Sequence, residues 1–210
     1  MRRTKEDSEK TRQTILDSAE QIFLAKGVSN TSLEEIARSA GVTRGAVYWH
    51  FQNKAHLFNE LLNQVRLPPE QLAQRLSGCD GHDPIQSLFE LSVEVIENLA
   101  RHPQRRRILT ILLQRCEFTD ELRDAEERHN HFIRQFIELC EQLFTRESCR
   151  SRLMPGVSPQ IASRAVHAMI FGLLSDWLRD PELFDAERET RLLFDALFRG
   201  LVRDWSAPQT

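Results

Sequence analysis

Glycine and proline are scarce in this sequence, eight of each among 210 residues, against roughly 12% together in an average chain. So few turn residues exclude a protein built of many short strands. Aliphatic usage points the same way, because Leu outnumbers Val by 27 to 9, a bias toward helix over sheet. Long apolar runs are also missing. The longest is Ala168 to Leu174, far short of the roughly 20 residues a bilayer requires, and the mean hydropathy is −0.44. No membrane partner is expected. The charged stretch Met1 to Lys10 reads as no secretory leader. The four cysteines, Cys79, Cys116, Cys140 and Cys149, form neither a CxxC pair nor a zinc-ligand spacing, so they read as reduced thiols of a cytoplasmic, all-α protein.

What charge there is divides unevenly. Residues 1–54 hold nine Lys/Arg against seven Asp/Glu, whereas residues 55–210 hold nineteen against twenty-four, giving the net −3 of the whole. A net charge of that sign argues against wrapping nucleic acid over the entire surface. A modest basic end on an acidic body fits an end-on contact.

The helices can be placed from caps and periodicity. A first helix begins near Asp7 or Ser8 and carries Ile15, Ala19, Ile22 and Phe23 on one face until Gly27. Thr31 with Glu34 predicts a capping box for a short helix burying Leu33, Ile36 and Ala37. Gly41 stops that helix, Thr43 caps a third from Arg44 to about His50, and Asn53 caps a fourth from Lys54. Two short helices joined at Ala40-Gly41-Val42 make a helix-turn-helix.

Further along, Pro68-Pro69 stops or kinks the fourth helix, and Ser77 to Asp83 reads as a loop. Helices follow from Pro84, from about Pro103 to Arg115, from about Asp120 to Thr145, from Pro159 to Leu178 and from about Glu187 to Trp205. The last two are apolar over much of their circumference, which predicts a helical dimer interface including Met169, Leu173, Trp177, Leu193 and Leu197.

With these residues placed, the chain resembles the TetR family of bacterial transcriptional repressors, and within it the AcrR and TtgR type that controls multidrug efflux operons, NalD-like repressors included. The resemblance rests on R-R-T-K-E-D at 2–7, T-R-Q-T-I-L-D-S-A at 11–19, T-S-L-E-E-I-A at 31–37 and above all A-G-V-T-R-G-A-V-Y-W-H-F-Q-N-K at 40–54. A smaller match is C-E-F-T-D-E at 116–121. The resemblance implies a nine-helix Ω-shaped homodimer. Residues 1–54 would form the helix-turn-helix DNA-binding domain and residues 55–210 the ligand-binding and dimerisation domain. Pro68-Pro69 departs from the family's long fourth helix.

Within that frame Arg44 is the expected base reader, because a guanidinium pairs bidentately with guanine O6 and N7, and Gly45 beside it removes bulk that would hold the helix off the groove. Thr43, Tyr48, His50 and Lys54 are expected on phosphates, as the resemblance implies for the last three. Thr31 and Ser32 add donors at the start of the second helix, Trp49 either packs or touches DNA, and Arg2, Arg3 and Lys5 are read as a frayed arm. The partners implied are a palindromic double-stranded operator, a second copy of the chain and a hydrophobic small-molecule inducer. The inducer would lie among Phe89, Val93, Ile96, Leu109, Leu112, Leu113, Cys116, Phe132, Phe136, Cys140, His167, Ile170, Phe171 and Leu174.

Two competing readings are weaker. An enzyme would need a nucleophile or metal constellation, yet there is no GxSxG, HExxH or Gly-rich phosphate loop, and His129 and His131 stand two apart on a helix, facing different ways. No cofactor or metal is expected. A helical binding protein without DNA contact would leave 40–54 unexplained; Arg105-Arg106-Arg107 reads as a solvated turn in either case.

Overall fold

A computed structural model describes residues 5–66, 69–76 and 83–207. Arg2, Arg3, Pro68 and all but Asp83 of the loop expected over Ser77–Asp83, Cys79 included, lie outside the described residues. Among those described are eleven α-helices and one 3-10 turn. They fall into two compact units, Met1–Arg66 with Gln104–Asn130, and Leu67–Pro103 with His131–Thr210. The first unit thus takes in more chain than the 1–54 expected as the DNA-binding domain.

The first unit is built on α1 (Lys5–Lys26), α2 (Leu33–Ser39), α3 (Arg44–His50), α4 (Lys54–Asn63) and α7 (Pro103–Gln114). Ile15, Leu16, Ala19 and Phe23 of α1 meet Ile36, Val47, Phe58 and Leu61, and Ile108, Ile111 and Leu122 complete the core. Phe23 and Phe58 cross edge to face at 6.0 Å. Both are fully buried, each contributing about 1.5–3 kcal/mol by leaving water. This core fixes the height and angle of the helix-turn-helix from beneath.

Several expectations shift. The capping box is not Thr31–Glu34 but Ser32–Glu35, each side chain bonded to the other's backbone N–H. Both registers fit the sequence; Thr31 is buried instead, donating its hydroxyl to the Gly27 carbonyl at 2.8 Å. The fourth helix ends at Asn63, and α5 (Pro69–Leu76) begins separately at a proline. That division, with the single turn α9 (Glu147–Arg150), raises the expected nine helices to eleven.

In the second unit, α6 (Pro84–Arg101) packs against α10 (Pro159–Arg179) and α11 (Thr190–Leu201). Asp83 caps α6 by accepting the Ile85 N–H at 3.0 Å. Phe89, Phe198 and Trp205 form the aromatic centre, with ring separations of 4.9 to 5.5 Å. The last helix is shorter than expected, because Val202 turns extended and bridges Leu153 while Arg203 donates its N–H to the Arg152 carbonyl. The helix α8 (Arg123–Thr145) has its first turns in the first unit and the rest in the second. Among the described residues no helix is long and apolar enough to cross a membrane.

Candidate nucleic-acid interface

The turn between α2 and α3 is tight because Gly41 adopts φ +65°, a left-handed conformation that L side chains resist. Gly41 and Val42 return their N–H groups to Arg38 and Ala37, and Thr43 opens α3 by accepting the Ala46 N–H at 3.1 Å. Only Val47 of α3 is fully buried. One side chain anchors the helix, Ala46 and His50 are half-buried, and Arg44, Gly45, Tyr48 and Trp49 face outward.

That outward face carries the sequence-predicted groups. Trp49 is 72% exposed and Tyr48 45%, so Trp49 does not pack into the core; its ring meets His50 edge to face at 4.5 Å. Arg44 lies over the Tyr48 ring at 5.4 Å and reaches Glu34 at 3.3 Å, and Tyr48 first, then Glu34, holds its guanidinium above the ordinary arginine range. A Cβ placed on Gly45 would meet nothing nearer than the Thr43 hydroxyl at 3.9 Å. Nothing inside the protein needs glycine there. The missing side chain leaves room for something outside.

Lys54 is placed differently from the other cations. Its side chain is only 4% exposed, and the ammonium donates to the carbonyls of Thr31 at 2.9 Å and Ser29 at 3.3 Å while pairing with Glu121 at 2.8 Å. The charge therefore ties the loop before α2 to the start of α4 and to the 3-10 turn at Asp120–Leu122. Thr31 and Ser32 also have bonds within the protein, although Ser32 stays exposed. Ser32, Glu34, Arg44, Tyr48, Lys54 and Glu121 line one open cleft of about 510 Å³. Glu121 and the Ser29–Glu117 and Val28–Arg115 bonds beside it were missed in the sequence, where the only signal was the C-E-F-T-D-E match.

The residues expected on ligand divide between the two units. Leu109, Leu112, Leu113 and Cys116 belong to the first, where Leu112 is core and the others pack against it. In the second, Phe89, Val93, Ile96 and Cys140 are buried, while Phe132, Ile170 and Leu174 are half-buried. Phe136, His167 and Phe171 are brought into a row with successive ring separations of 6.3 Å; burial and Arg164 lower the His167 imidazole. Phe89 is instead committed to Phe198, Trp205 and the guanidinium of Arg191. Burial pushes the Cys116 thiol up to about 11 and Cys140 up to about 12, which keeps both protonated and unreactive.

Sequence reading also missed Arg66, whose guanidinium burial lowers to about 10. It bonds His129 Nδ1 at 2.9 Å, and that ring stacks on Phe118. Of the residues expected at a dimer interface, Trp177 is buried and Met169, Leu173, Leu193 and Leu197 are half-buried. The apolar side chain most open on α11 is Leu192, at 68%.

Comparison with known proteins agrees with this arrangement. Residues 15–61 match the bacterial regulatory proteins of the tetR family, and residues 83–203 match the C-terminal region of MAATS-type transcriptional repressors. The chain is 34% identical over 192 residues to the transcriptional regulator AcrR of Shigella flexneri, covering 90% of this chain and 88% of that one. A solved structure of NalD, the secondary repressor of the MexAB-OprM multidrug efflux pump in Pseudomonas aeruginosa, superposes with a TM-score of 0.92 and 67% identity over 95% of this chain and 100% of NalD. A complex of SmeT with triclosan superposes with a TM-score of 0.81 and 32% identity over 95% of this chain and 98% of SmeT, SmeT being the repressor of a Stenotrophomonas maltophilia efflux pump. Two matched regions that together span most of the chain, a regulator alike over nearly its whole length and an outward helix held by a single buried residue lead to one conclusion: the chain belongs to the TetR family of bacterial regulatory proteins.

Proposed function

We propose that the chain is a homodimeric repressor of a multidrug efflux operon, held on a palindromic operator by α3 and released by hydrophobic small molecules. The observation that carries the DNA-binding part is the outward face of α3, where Arg44, Tyr48 and Trp49 stand exposed around a glycine that the fold itself does not need. Arg44 reads a guanine edge. Thr43, whose oxygen accepts the cap, still has its O–H proton to give a phosphate, and Ser32, Tyr48 and His50 flank it. DNA contact is assigned to residues 1–54, and ligand binding and dimerisation to residues 55–210.

An isologous dimer through α10 and α11 is supported by Leu192, Ala196 and Gly200, four residues apart along the exposed side of α11, and by Gly172 and Gly200, beside which a Cβ would meet nothing. Two recognition helices about 34 Å apart then enter successive major grooves. The NalD and SmeT likenesses support the efflux operon, and the SmeT–triclosan complex supports an apolar inducer. A coupling of about 1–3 kcal/mol is enough for release.

The test is selection of the purified protein on random-sequence duplex, followed by anisotropy on the winning sequence with and without triclosan. A two-fold symmetric winner released by triclosan is the expected result. An unenriched pool from folded, dimeric protein contradicts it and leaves a helical ligand-binding protein without specific DNA contact.

A further inference from the structure

The ammonium of Lys54 has three oxygen partners, two held by hydrogen bonds and one by an ion pair. Two are the carbonyls of Thr31 and Ser29, fixed in the loop that leads into α2. These bonds lie within the DNA-binding head. The third partner, Glu121, comes from a distant part of the chain and is 59% exposed at its side chain, although the ammonium it pairs with is buried. Glu121 and Lys54 both line the open cleft that also holds Ser32, Arg44 and Tyr48. The carboxylate therefore pairs with a buried cation in the same cleft that Ser32, Arg44 and Tyr48 line.

A carboxylate and a phosphate ester present the same chemistry to an ammonium: an anionic oxygen that accepts a charge-assisted hydrogen bond. We propose that Glu121 is a built-in counter-ion that holds, in the DNA-free protein, the Lys54 donor that a backbone phosphate takes in the complex. The inference rests on the DNA-binding reading above and gives the 116–121 motif a regulatory role. Segment 115–121 is kept in register for it by Ser29 Oγ donating to the Glu117 carbonyl at 3.0 Å and by Val28 N–H donating to Arg115 at 3.0 Å. Gly27, at φ +85°, allows that approach, since a Cβ there would lie 3.1 Å from the Arg115 carbonyl. Lys54 keeps its two carbonyls throughout, and only its ion-pair partner changes.

The experiment compares wild type with Glu121→Gln on the selected duplex and on a scrambled duplex across a salt series. Asp120→Asn serves as control, because it removes the same charge one residue away, where the carboxylate pairs with Arg123 instead. Glu121→Gln is expected to bind both duplexes about two- to fivefold more tightly at low salt, with the slope of log affinity on log salt steeper by about one. Asp120→Asn is expected to change the slope by much less. An unchanged or weaker Glu121→Gln, or an equal gain from Asp120→Asn, overturns the proposal. A wild type that selects no duplex overturns the DNA-binding reading instead, so the two failures are distinct.

Discussion

The α2–α3 hairpin and the α10–α11 pair are held by different balances of burial and hydrogen bonding. The hairpin buries only Ile36, Ala37 and Val47 in the core beneath it, and hydrogen bonds add to that anchorage, namely the Ser32–Glu35 box, the Thr43 cap and the Lys54 ties to two carbonyls. The α10–α11 pair is fixed by buried Val166, Trp177, Phe194 and Phe198 and still leaves apolar surface outside. A small buried anchor supplemented by directional bonds holds a helix pair whose outer face stays free, whereas broad non-directional burial suits surfaces that pack on one another.

The comparison can be broken most severely in the second unit. Phe198→Ala removes a fully buried ring from the Phe89–Trp205 cluster and is expected to cost about 3–5 kcal/mol in urea unfolding. Lys54→Met, which strips two carbonyls and Glu121 of their cation, is expected to cost about 2–4 kcal/mol by the same measurement. If the polar ties do not hold the head, that loss shrinks to the size of a surface change. Leu192→Glu should leave unfolding of the single chain nearly unchanged while shifting sedimentation from dimer toward monomer.

Gly45→Ala separates fold from function, because the helix is expected to gain about 0.5–1 kcal/mol while duplex affinity falls. A variant that gained in both would show that nothing approaches Gly45 closely. The smallest effect lies in the cap. Lys26 above all, and then the Ser32 N–H, hold the Glu35 carboxyl down at about 2, against 4.5 for an ordinary glutamate. The charged form is favoured by folding, so its contribution is whole above pH 4.5 and fades as pH falls toward 2. Carboxyl chemical shifts should give a Glu35 midpoint near 2, moving up in Lys26→Met.

Most of the helix order was legible in the sequence, because caps and stops are local. Thr43 and Asn53 both cap as their positions predict. What misled was ambiguity within a few residues: T-S-L-E-E offers two capping boxes, and the buried Thr31 is taken up by the Gly27 carbonyl, which leaves the second to Ser32 and Glu35. Non-local partners were harder. That Lys54 is buried follows from Glu121, sixty-seven positions later, and that the last helix stops at Leu201 follows from Val202 bridging Leu153. The exposed stretch of α3 was legible in the sequence because a helix-turn-helix uses contiguous residues. The apolar residues proposed for ligand, such as Phe89 and Phe136, share a composition with ordinary core, and only their ring partners separate them.

Whether the exposed face of α3 reads DNA sequence turns on Arg44→Ala. Its affinities for the selected duplex and for a scrambled one should be measured against those of wild type at several salt concentrations. The account predicts a loss of about 1–3 kcal/mol on the selected duplex, with a smaller loss on the scrambled one and a relaxed preference. Unchanged affinity for both duplexes would contradict it.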